Sequence, residues 1–315
     1  MRAILIREFG GPDVLEPDEV EAPAPIPTEV LVRVAAAGIN PVDAKTRGGS
    51  GFAAVLGEPP LILGWDVAGV VEEVGRGVTR FVPGDRVFGM PWFPRQAGAY
   101  AELVAAPSRQ FARTPERLGD EEAGGLPLAG LTAWQILVDT ADVGEGDRVL
   151  IHAAAGGVGH LAVQIAKARG AHVIGTARAD KHGFLRELGV DEAIDYAEAP
   201  FEEAVSDLDL VIDLVGGDEH GLRSLRALRE GGLLIPVPGG LSDELAAAAR
   251  EQSKRATGFL VEPDGAGLKA LADLAEGGRL RVEVERSYPF EEAAEAHRHL
   301  QQGRTRGKLV LRPAA

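Results

Sequence analysis

The length, composition and charge of the chain exclude several classes of protein. With 315 residues, 45% of them hydrophobic and 26% charged, the sequence is typical of a globular protein of about two domains. No apolar run reaches the length of about 18 residues that a membrane span requires, and no cysteine is present to form disulfides or thiolate metal sites. The net charge of −15 disfavours nucleic acid as a partner. We therefore predict a cytoplasmic protein of two domains.

The first part of the chain predicts a β-rich domain. Short apolar runs such as AILI, EVLVRVAAA and DVAGVVEEV alternate with glycine and proline as far as about Gly119, which is typical of antiparallel strands with long connections. The opening residues MRAILIREFGGPD predict a first strand and no signal peptide, because the apolar stretch ends at Arg7 and Glu8. We assign residues 1–121 to this domain.

From about Asp120 onward, apolar strands alternate with amphipathic helices. EEAGGLPLAGLTAWQILVDTA predicts a helix with Pro127 in its first turn. The strands RVLIHA, AHVIGTA, EAIDY, DLVIDLVG, LLIPVPG and ATGFLVE are separated by predicted helices that include VGHLAVQIAKARG, DKHGFLRELG and GLRSLRALREGG. This alternation is typical of βαβ units around a parallel sheet, so we assign residues 122–280 to a second domain. Residues 281–315 predict strand, helix and strand, and we expect them to return to the first domain.

The strongest local motif is a glycine-rich turn between the strand RVLIH and its helix. The turn AAGGVG is a G-x-G-x-x-G motif with alanine in its first position. Gly156 would let the backbone approach a pyrophosphate, and Gly159 would permit close packing of helix against strand. The helix N-terminus would supply unpaired amides to the phosphates. We predict a dinucleotide site at Gly156, Gly157, Val158 and Gly159.

The residues about twenty positions further on decide between NAD and NADP. NAD sites carry an acidic residue at the end of the second strand, whereas this strand ends in TARADK. Arg178 and Lys181 suit the negative charge of a 2′-phosphate, the alternative being that both cations are solvated surface residues. Asp180 opposes this assignment unless it caps the helix that follows. We predict NADP(H), with Thr176 at the strand end included in its site.

Further motifs, in a fixed order, make the chain similar to a known family. GINPVD, GWDVAG, GDRV, GAYAE, LTAW, AGGVG, DLVGG and the C-terminal GKLVL resemble segments of the zinc-independent quinone oxidoreductase (zeta-crystallin-like) branch of the medium-chain dehydrogenase/reductase superfamily. The resemblance implies an α/β fold in which a GroES-like catalytic domain joins a six-stranded Rossmann domain, with a doubly wound parallel sheet. It also implies an active site between the domains and a homodimer formed through the last Rossmann strand, near Thr257–Val261.

The departures from the superfamily's pattern argue against a metal. Its zinc alcohol dehydrogenases have a cysteine where this chain has Asn40 and Gly-His-Glu where it has GWD, and their structural zinc site needs further cysteines. Among the 7 histidines, His297 and His299 are two positions apart on a predicted helix and face different ways. We predict no zinc. Without that Lewis acid an alkoxide loses its usual stabilisation, whereas an electrophilic conjugated acceptor remains accessible.

Three side chains of the first domain are candidates for chemistry. The resemblance places Asn40 near the nicotinamide, where it can bond substrate or cofactor, or it is simply a turn residue before Pro41. Asp43 can orient neighbours or relay a proton, or only cap a helix. Tyr100 can offer its phenol to a developing enolate or quinol oxygen, or pack a strand. We expect Arg47, on a glycine-rich connection, to be solvated.

The resemblance also carries over further cofactor contacts, which lie mostly at the carboxyl ends of strands, where open α/β sheets bind ligands. These predicted contacts are Thr132, Tyr196, Val215, Gly216, Pro238, Phe259, Leu260, Val261 and Lys308. Thr132 is assigned to the phosphate and nicotinamide region and Tyr196 to the adenosine end. Lys308 is predicted to reach towards the nicotinamide half, the alternative being an exposed lysine.

These features together predict an NADPH-dependent, zinc-free oxidoreductase that transfers hydride to a quinone or an α,β-unsaturated carbonyl compound. One-electron transfer to a quinone stays open. An enoyl-thioester reductase with the same architecture is an alternative, and a non-catalytic, crystallin-like NADPH-binding protein is another. We expect a small-molecule substrate, and turnover of NADPH with a quinone or an enone distinguishes an enzyme from a binder.

Overall fold

The structure of the protein, a computed structural model, describes residues 1–313. Its strands are β1 (Arg2–Ile6), β2 (Glu16–Glu19), β3 (Glu29–Ile39), β4 (Leu61–Ile62), β5 (Val67–Val74), β6 (Arg86–Gly89), β7 (Leu103–Pro107), β8 (Phe111–Arg113), β9 (Arg148–Ile151), β10 (His172–Ala177), β11 (Glu192–Asp195), β12 (Leu208–Asp213), β13 (Leu228–Pro236), β14 (Arg255–Ala256), β15 (Val284–Pro289) and β16 (Lys308–Arg312).

The helices follow the strands in both halves of the chain. They are α1 (Pro41–Arg47), α2 (Ala53–Leu56), α3 (Asp120–Gly125), α4 (Pro127–Trp134), α5 (Gly159–Ala168), α6 (His182–Glu187), α7 (Phe201–Ala204), α8 (Asp218–Ala227), α9 (Asp243–Glu251), α10 (Gly265–Glu276) and α11 (Ala293–Gln301). A π-helical segment, Gln135–Thr140, continues α4. No helix within residues 1–313 is long and apolar enough to cross a membrane.

The chain divides into two compact units. The first unit comprises Met1–Leu131 together with the chain from Glu262 onward, and the second comprises Thr132–Val261. Compared with the predicted boundaries after residues 121 and 280, the first unit therefore gains most of α3 and α4 and all of α10. Packing explains the difference, because α3 packs on β3 and α10 packs on β8.

The first unit is built mainly on antiparallel strands, with β15 parallel to β16. Its larger sheet runs in the order β15-β16-β3-β5-β6-β8, with β7 also paired to β3, and its smaller sheet runs β2-β1-β4. Val30, Val32 and Val34 of β3, Val67 and Val71 of β5 and the ring of Phe111 are buried in its core, as apolar runs of this kind predict. The C-terminal strand β16 pairs antiparallel with the end of β3. Lys308 therefore lies next to Ile39, immediately before α1 begins.

The second unit is a doubly wound parallel sheet with the strand order β11-β10-β9-β12-β13-β14. Val149, Leu150 and Ile151 of the central strand β9 are fully buried, as expected for a sheet covered on both faces. The chain starts at β9, moves out to one edge and then returns to the other side of β9. This arrangement confirms the predicted fold class and creates a switch point between β9 and β12, where such sheets bind ligands.

Two elements differ from the prediction. LREGG belongs to β13, since α8 ends at Ala227 and the strand begins at the next residue. ATGFLVE forms a strand only at its first residue, because β14 ends at Ala256 and a single further bond joins Thr257 N to Leu234 O. The neighbouring strand ends in Pro236, which has no N–H to continue a ladder.

Candidate functional site

Two groups of polar side chains lie at the predicted site positions, one in each unit. In the first unit, β3 ends at Ile39, and α1 begins at Pro41 with Asn40 as its N-terminal cap residue. The Asp43 carboxylate accepts a hydrogen bond from the Asn40 backbone at 2.6 Å, which stabilises the first turn of the helix. Asp43 therefore does cap a helix, which was one of its two predicted roles.

The Asn40 side chain has partners for both of its polar atoms. Its Nδ2 donates to Asp66 Oδ2 at 2.8 Å, and its Oδ1 accepts from the Lys308 ammonium. Lys308 Nζ also donates to Ile39 O at 3.1 Å and lies 3.7 Å from Asp66 Oδ2. Asp66 Oδ1 accepts from Leu128 N at 2.7 Å. Lys308 is thus a buried lysine, 3% exposed, and the alternative of an exposed side chain is wrong.

Tyr100 is buried next to this group. Its hydroxyl lies 3.2 Å from His297 Nε2, and His297 Nδ1 lies 2.9 Å from Arg47 Nη1. Gly64 makes room for the ring, because a Cβ at that position would lie 2.4 Å from Tyr100 Cδ1. The expectation that Arg47 is solvated is wrong, since the residue is 2% exposed. The contact of Tyr100 with a substrate oxygen stays a prediction; the structure gives its hydroxyl a histidine partner that the sequence did not suggest.

We call these seven residues the charged network: Asn40, Asp43, Arg47, Asp66, Tyr100, His297 and Lys308. Burial raises the pKa of Asp43 to about 7, while the Asn40 N–H and the Lys308 charge act in the opposite direction. Burial likewise raises the pKa of Asp66 and lowers the pKa of Lys308, and their mutual attraction opposes both shifts. Burial and the Arg47 charge lower the pKa of His297 to about 3, so that its ring is neutral. With both carboxylates ionised, two negative charges balance two positive ones.

In the second unit, the glycine-rich turn is closely packed against the sheet. A Cβ on Gly159 would lie 2.4 Å from Ala153 O and 2.7 Å from Ala154 Cα, so only glycine fits where α5 begins. Gly175 in β10 is restricted in the same way, since its Cβ would lie 2.9 Å from Ala154 Cβ. The amides of His160 and Ala162 already bond the carbonyls of Gly156 and Val158, whereas those of Gly157, Val158 and Gly159 have no backbone acceptor in the part of the chain that the structure describes. The turn thus offers these three amides as donors, together with the close backbone approach that a phosphate needs.

At the end of β10, the Arg178 side chain is exposed, whereas Thr176 is buried. Arg178 is exposed, and its Nε donates to the hydroxyl of Tyr196, whose side chain is 53% exposed. Asp195 Oδ2 accepts from Ala179 N at 2.9 Å, so Asp195, and not Asp180 as suggested above, caps the turn that carries Lys181. A guanidinium and a phenol at the surface form a fitting place for an anionic adenosine group.

Other predicted cofactor residues lie after the next strands. Asp213 Oδ1 accepts from the amides of Val215 and Gly216 at 2.8 and 3.0 Å, shaping the loop after β12. Gly216 has φ +83°, and its Cβ would lie 2.6 Å from Pro238 O, so the two predicted residues are in contact. Val215 is 54% exposed. The remaining predicted positions differ in burial: Thr132 and Val261 are buried, Phe259 is half-buried and Leu260 is exposed.

Beneath the turn is a cluster that sequence reasoning missed, which we call the histidine network: His152, Thr176 and Ser224. His152 Nδ1 lies 3.1 Å from Thr176 Oγ1, and His152 Nε2 lies 3.3 Å from Ser224 Oγ. Ser224 donates to the carbonyl of His220 at 2.9 Å. Burial is the main cause that lowers the pKa of His152 to about 3. The Thr176 hydroxyl therefore points to His152 in the interior. The sequence signal that could have revealed this cluster is a histidine directly after an apolar strand.

Within residues 1–313 the structure shows no group of three or more histidine, aspartate or glutamate side chains that could hold a metal ion. At the position where zinc alcohol dehydrogenases have a cysteine, Asn40 bonds Asp66 and Lys308 through its polar atoms. Trp65, in the GWD segment, is buried and donates from Nε1 to Arg95 O at 2.7 Å.

A β-rich unit joined in one chain to a doubly wound sheet with a glycine-rich turn at its switch point is typical of a dinucleotide-binding protein. Comparisons with known proteins agree with this assignment. Residues 26–116 match the alcohol dehydrogenase GroES-like domain, and residues 188–311 match a domain described as zinc-binding dehydrogenase. The chain is 36% identical to a 2-haloacrylate reductase from Burkholderia sp, over 99% of both proteins.

Solved structures agree closely with this fold. The quinone oxidoreductase from Coxiella burnetii superposes with a TM-score of 0.94 at 41% identity, covering 100% of this chain and 99% of that one. The Escherichia coli quinone oxidoreductase complexed with NADPH superposes with a TM-score of 0.88 at 30% identity, covering 99% and 100%. The chain belongs to the zinc-independent quinone oxidoreductase type of the medium-chain dehydrogenase/reductase superfamily, as its motifs predict.

Proposed function

We propose that the protein is an NADPH-dependent oxidoreductase that reduces a quinone or an α,β-unsaturated carbonyl compound without a zinc ion. The observation that carries this proposal is the carboxyl end of the second unit's sheet, where the tight turn before α5 follows β9 and the exposed Arg178–Tyr196 pair follows the neighbouring strands β10 and β11. The names of the relatives, quinone oxidoreductase and 2-haloacrylate reductase, support the choice of an electron-poor conjugated substrate.

The residues present fit the dinucleotide. Gly159 leaves no room for a side chain next to the turn, and Gly216 leaves none next to Pro238, so backbone atoms line both positions. We assign the pyrophosphate to residues 156–159, the 2′-phosphate to Arg178 and Lys181, and the adenosine to Tyr196. NADPH, when bound, supplies the hydride, and the protein supplies binding and orientation.

The first unit's contribution is to hold the start of α1 in one conformation. Lys308 bonds Ile39 O and Asn40 Oδ1, and Asp43 bonds the Asn40 amide. These contacts fix the backbone where β3 becomes α1, at the position the family resemblance assigns to the nicotinamide. Since Asn40 bonds Asp66 and Lys308 through its polar atoms, it is a poor metal ligand, which supports a reaction without zinc.

The test is a binding and turnover experiment on the metal-analysed protein. We expect NADPH to bind more tightly than NADH, and NADPH to be oxidised by members of a quinone panel or an enone panel with no stoichiometric zinc. Tight NADPH binding with no turnover in either panel would favour the non-catalytic binder, and turnover restricted to enoyl thioesters would favour the thioester reductase. Tighter binding of NADH would refute the 2′-phosphate assignment.

We also propose a homodimer formed through β14, which lies at the edge of the six-stranded sheet. The exposed Leu260 side chain just beyond this strand supports an association there. Sedimentation of the wild-type protein and of a Leu260→Asp variant tests it: the wild type should sediment as a dimer and the variant as a monomer. A monomeric wild-type protein would refute the proposal. The cytoplasmic location stays a prediction.

A further inference from the structure

A line of hydrogen-bonding groups leads from the edge of the first unit's core to Asp43. Arg47 begins it, and its guanidinium is held in place by bonds to Gly10 O at 3.1 Å and to Gln301 Oε1 at 3.4 Å. Its Nη1 faces His297 Nδ1, and His297 Nε2 faces Tyr100 Oη. These residues come from α1, α11 and the segment before β7, so only the folded chain brings them together.

The direction of this line follows from the chemistry of arginine. A guanidinium can only donate, so His297 Nδ1 must accept. Because the ring is neutral, its single N–H is then on Nε2 and points at the Tyr100 hydroxyl. Tyr100 accepts that hydrogen bond and keeps its own proton for another acceptor.

We infer that the acceptor of the Tyr100 proton is the Asp43 carboxylate. Asp43 Oδ1 is buried without a hydrogen-bond partner among the described residues, and the Tyr100 hydroxyl acts to lower the Asp43 pKa. The other oxygen, Oδ2, is used by the Asn40 amide. A hydrogen bond donated by the Tyr100 hydroxyl would satisfy Asp43 Oδ1. A buried carboxylate oxygen that lacks such a bond lowers the stability of the folded protein.

We propose that Arg47 and His297 are positioning residues, which fix the direction of hydrogen bonding through Tyr100 and so hold Asp43 as a carboxylate at the start of α1. The catalytic consequence rests on the proposed function. A carboxylate binds the Asn40 amide more strongly than a carboxylic acid does and balances the positive charge of the network. If the ring carried its proton on Nδ1, Nε2 would instead compete for the Tyr100 proton.

Several charged groups face Asp43 and contribute to its protonation. Asp66, from the segment before β5, opposes ionisation, and Lys308, from β16, favours it. The Asn40 amide of its own helix and the Tyr100 hydroxyl also favour the charged form. Since burial brings the Asp43 pKa to about 7, the loss of one donor is enough to change its charge near neutral pH.

The first experiment measures the wild-type protein and uses a variant of the network only to assign a signal. A ¹⁵N spectrum of the wild-type protein, with the His297 signal identified by its loss in His297→Gln, should show a neutral ring protonated on Nε2. A ring protonated on Nδ1, or on both nitrogens, would overturn the proposal. This result does not depend on any enzymatic activity.

The second experiment measures the Asp43 pKa by ¹³C spectra of labelled aspartate, with Asp43→Asn for assignment. Tyr100→Phe should raise this pKa by about one unit, the size expected for losing one hydrogen bond to a charged group. Tyr288→Phe is the matched control, because the buried Tyr288 also bonds a histidine of α11, His299, at 2.7 Å, and it should leave the Asp43 pKa unchanged. An unchanged Asp43 pKa in a folded Tyr100→Phe variant would overturn the proposal.

The third measurement tests whether the line of hydrogen-bonding groups from Arg47 to Asp43 affects the reaction. If the wild type reduces a quinone, the acidic limb of its kcat/KM profile should move to higher pH in Tyr100→Phe, by the same amount as the Asp43 pKa, and should not move in Tyr288→Phe. If the Asp43 pKa shifts in Tyr100→Phe but the acidic limb of the kcat/KM profile does not, the positioning role in catalysis is overturned. Absence of quinone and enone turnover in the wild type would instead refute the proposed function, while the spectra still decide the hydrogen-bond direction.

Discussion

The two units differ in the kind of polar group that they bury at the candidate site. The first unit buries charges: Asp43, Asp66, Arg47 and Lys308 all lie in the charged network with almost no exposure. The second unit buries the carboxylate of Asp213, which accepts from backbone amides, and, beneath the glycine-rich turn, the neutral side chains of the histidine network. Its cations at the same end of the sheet, such as Arg178, lie at the surface.

The difference in burial follows from the role of each charged group. A buried ion is costly unless it is paired and hydrogen-bonded, so the four charges of the first unit stabilise one arrangement only as a set. A charge that recognises an anionic ligand must instead be reachable from solvent, as Arg178 is. We therefore expect loss of a charge in the first unit to affect folding, and loss of one in the second unit to affect binding.

The largest effect is expected for Lys308→Met. Methionine fills similar space but leaves Asp66 without its cation and Asn40 Oδ1 without its donor. The free energy of unfolding should fall by about 3–5 kcal/mol, the usual result of removing one partner of a buried ion pair. Denaturant unfolding followed by circular dichroism measures this loss.

A double variant shows whether the loss of stability in Lys308→Met comes from the lost charge balance or from the lost packing. The double variant Asp66→Asn with Lys308→Met removes both ions, so it should be more stable than Lys308→Met alone. If the double variant is the less stable of the two, the pair is not held together by charge, and the contrast between the units loses its physical basis.

The next largest effect is expected for Gly159→Ala, which tests how closely the turn is packed without changing any charge. The new Cβ would lie 2.4 Å from Ala153 O, so the turn must shift, at a cost to stability of about 1–3 kcal/mol. Calorimetric titration should show weaker NADPH binding as well.

Gly183→Ala is the matched control for this steric effect. Gly183 lies in α6 of the same unit, and a Cβ there meets nothing within 4 Å. Alanine at that position should leave NADPH binding unchanged and be neutral or slightly stabilising, since it favours a helix over glycine. Equal losses in both variants would mean that the tight contact at Gly159 does not matter.

The sequence predicts those parts of the molecule that depend on local patterns. Apolar alternation is sufficient for the parallel sheet, and AAGGVG in a βαβ context marks the turn where only glycine fits at Gly159. The short β14 could not be predicted in this way, because its length depends on Pro236 in the neighbouring strand and not on its own β-like residues.

The charged network could be predicted only in part, because its members come together through the fold. Asn40, Asp43, Tyr100 and Lys308 were recognisable from motifs, but Arg47 and His297 were not recognisable as their buried partners. Arg47 and His297 are 250 positions apart, and nothing in a glycine-rich connection indicates that its arginine is enclosed by a helix near the C-terminus. The burial of Lys308 likewise depends on β16 pairing with β3, which no local pattern shows.

A smaller effect, on binding alone, is expected for Arg178→Ala. Arg178 is exposed and bonds Tyr196, so its loss should change the free energy of unfolding by less than about 0.5 kcal/mol. The dissociation constant for NADPH should rise about tenfold, or about 1.4 kcal/mol, whereas that for NADH should not change. Arg186→Ala, an exposed arginine of α6, is the control and should alter neither constant. Equal weakening of NADH and NADPH would show that Arg178 does not recognise the 2′-phosphate.

The smallest effect concerns the acid sensitivity of the histidine network. The pKa of His152 is about 3 in the folded protein against an ordinary value of 6.5, so below the ordinary value the unfolded chain binds a proton that the folded protein does not. Stability is therefore lost as pH falls, by about 1 kcal/mol between about pH 7.5 and about pH 5.5. His152→Gln should be less stable at the higher pH, because it loses a hydrogen bond, but it should lose less stability on acidification.

Ser224→Ala provides the control, because it removes the same hydrogen bond from His152 and leaves the imidazole in place. It should be less stable than the wild type by a similar amount at both pH values, with the wild-type dependence on pH retained. His297, whose pKa is also about 3, and Asp43, whose raised pKa acts in the opposite direction, are present in all three proteins. Their contributions cancel when the proteins are compared. If His152→Gln loses as much stability on acidification as Ser224→Ala does, burial does not keep the His152 ring neutral in the folded protein.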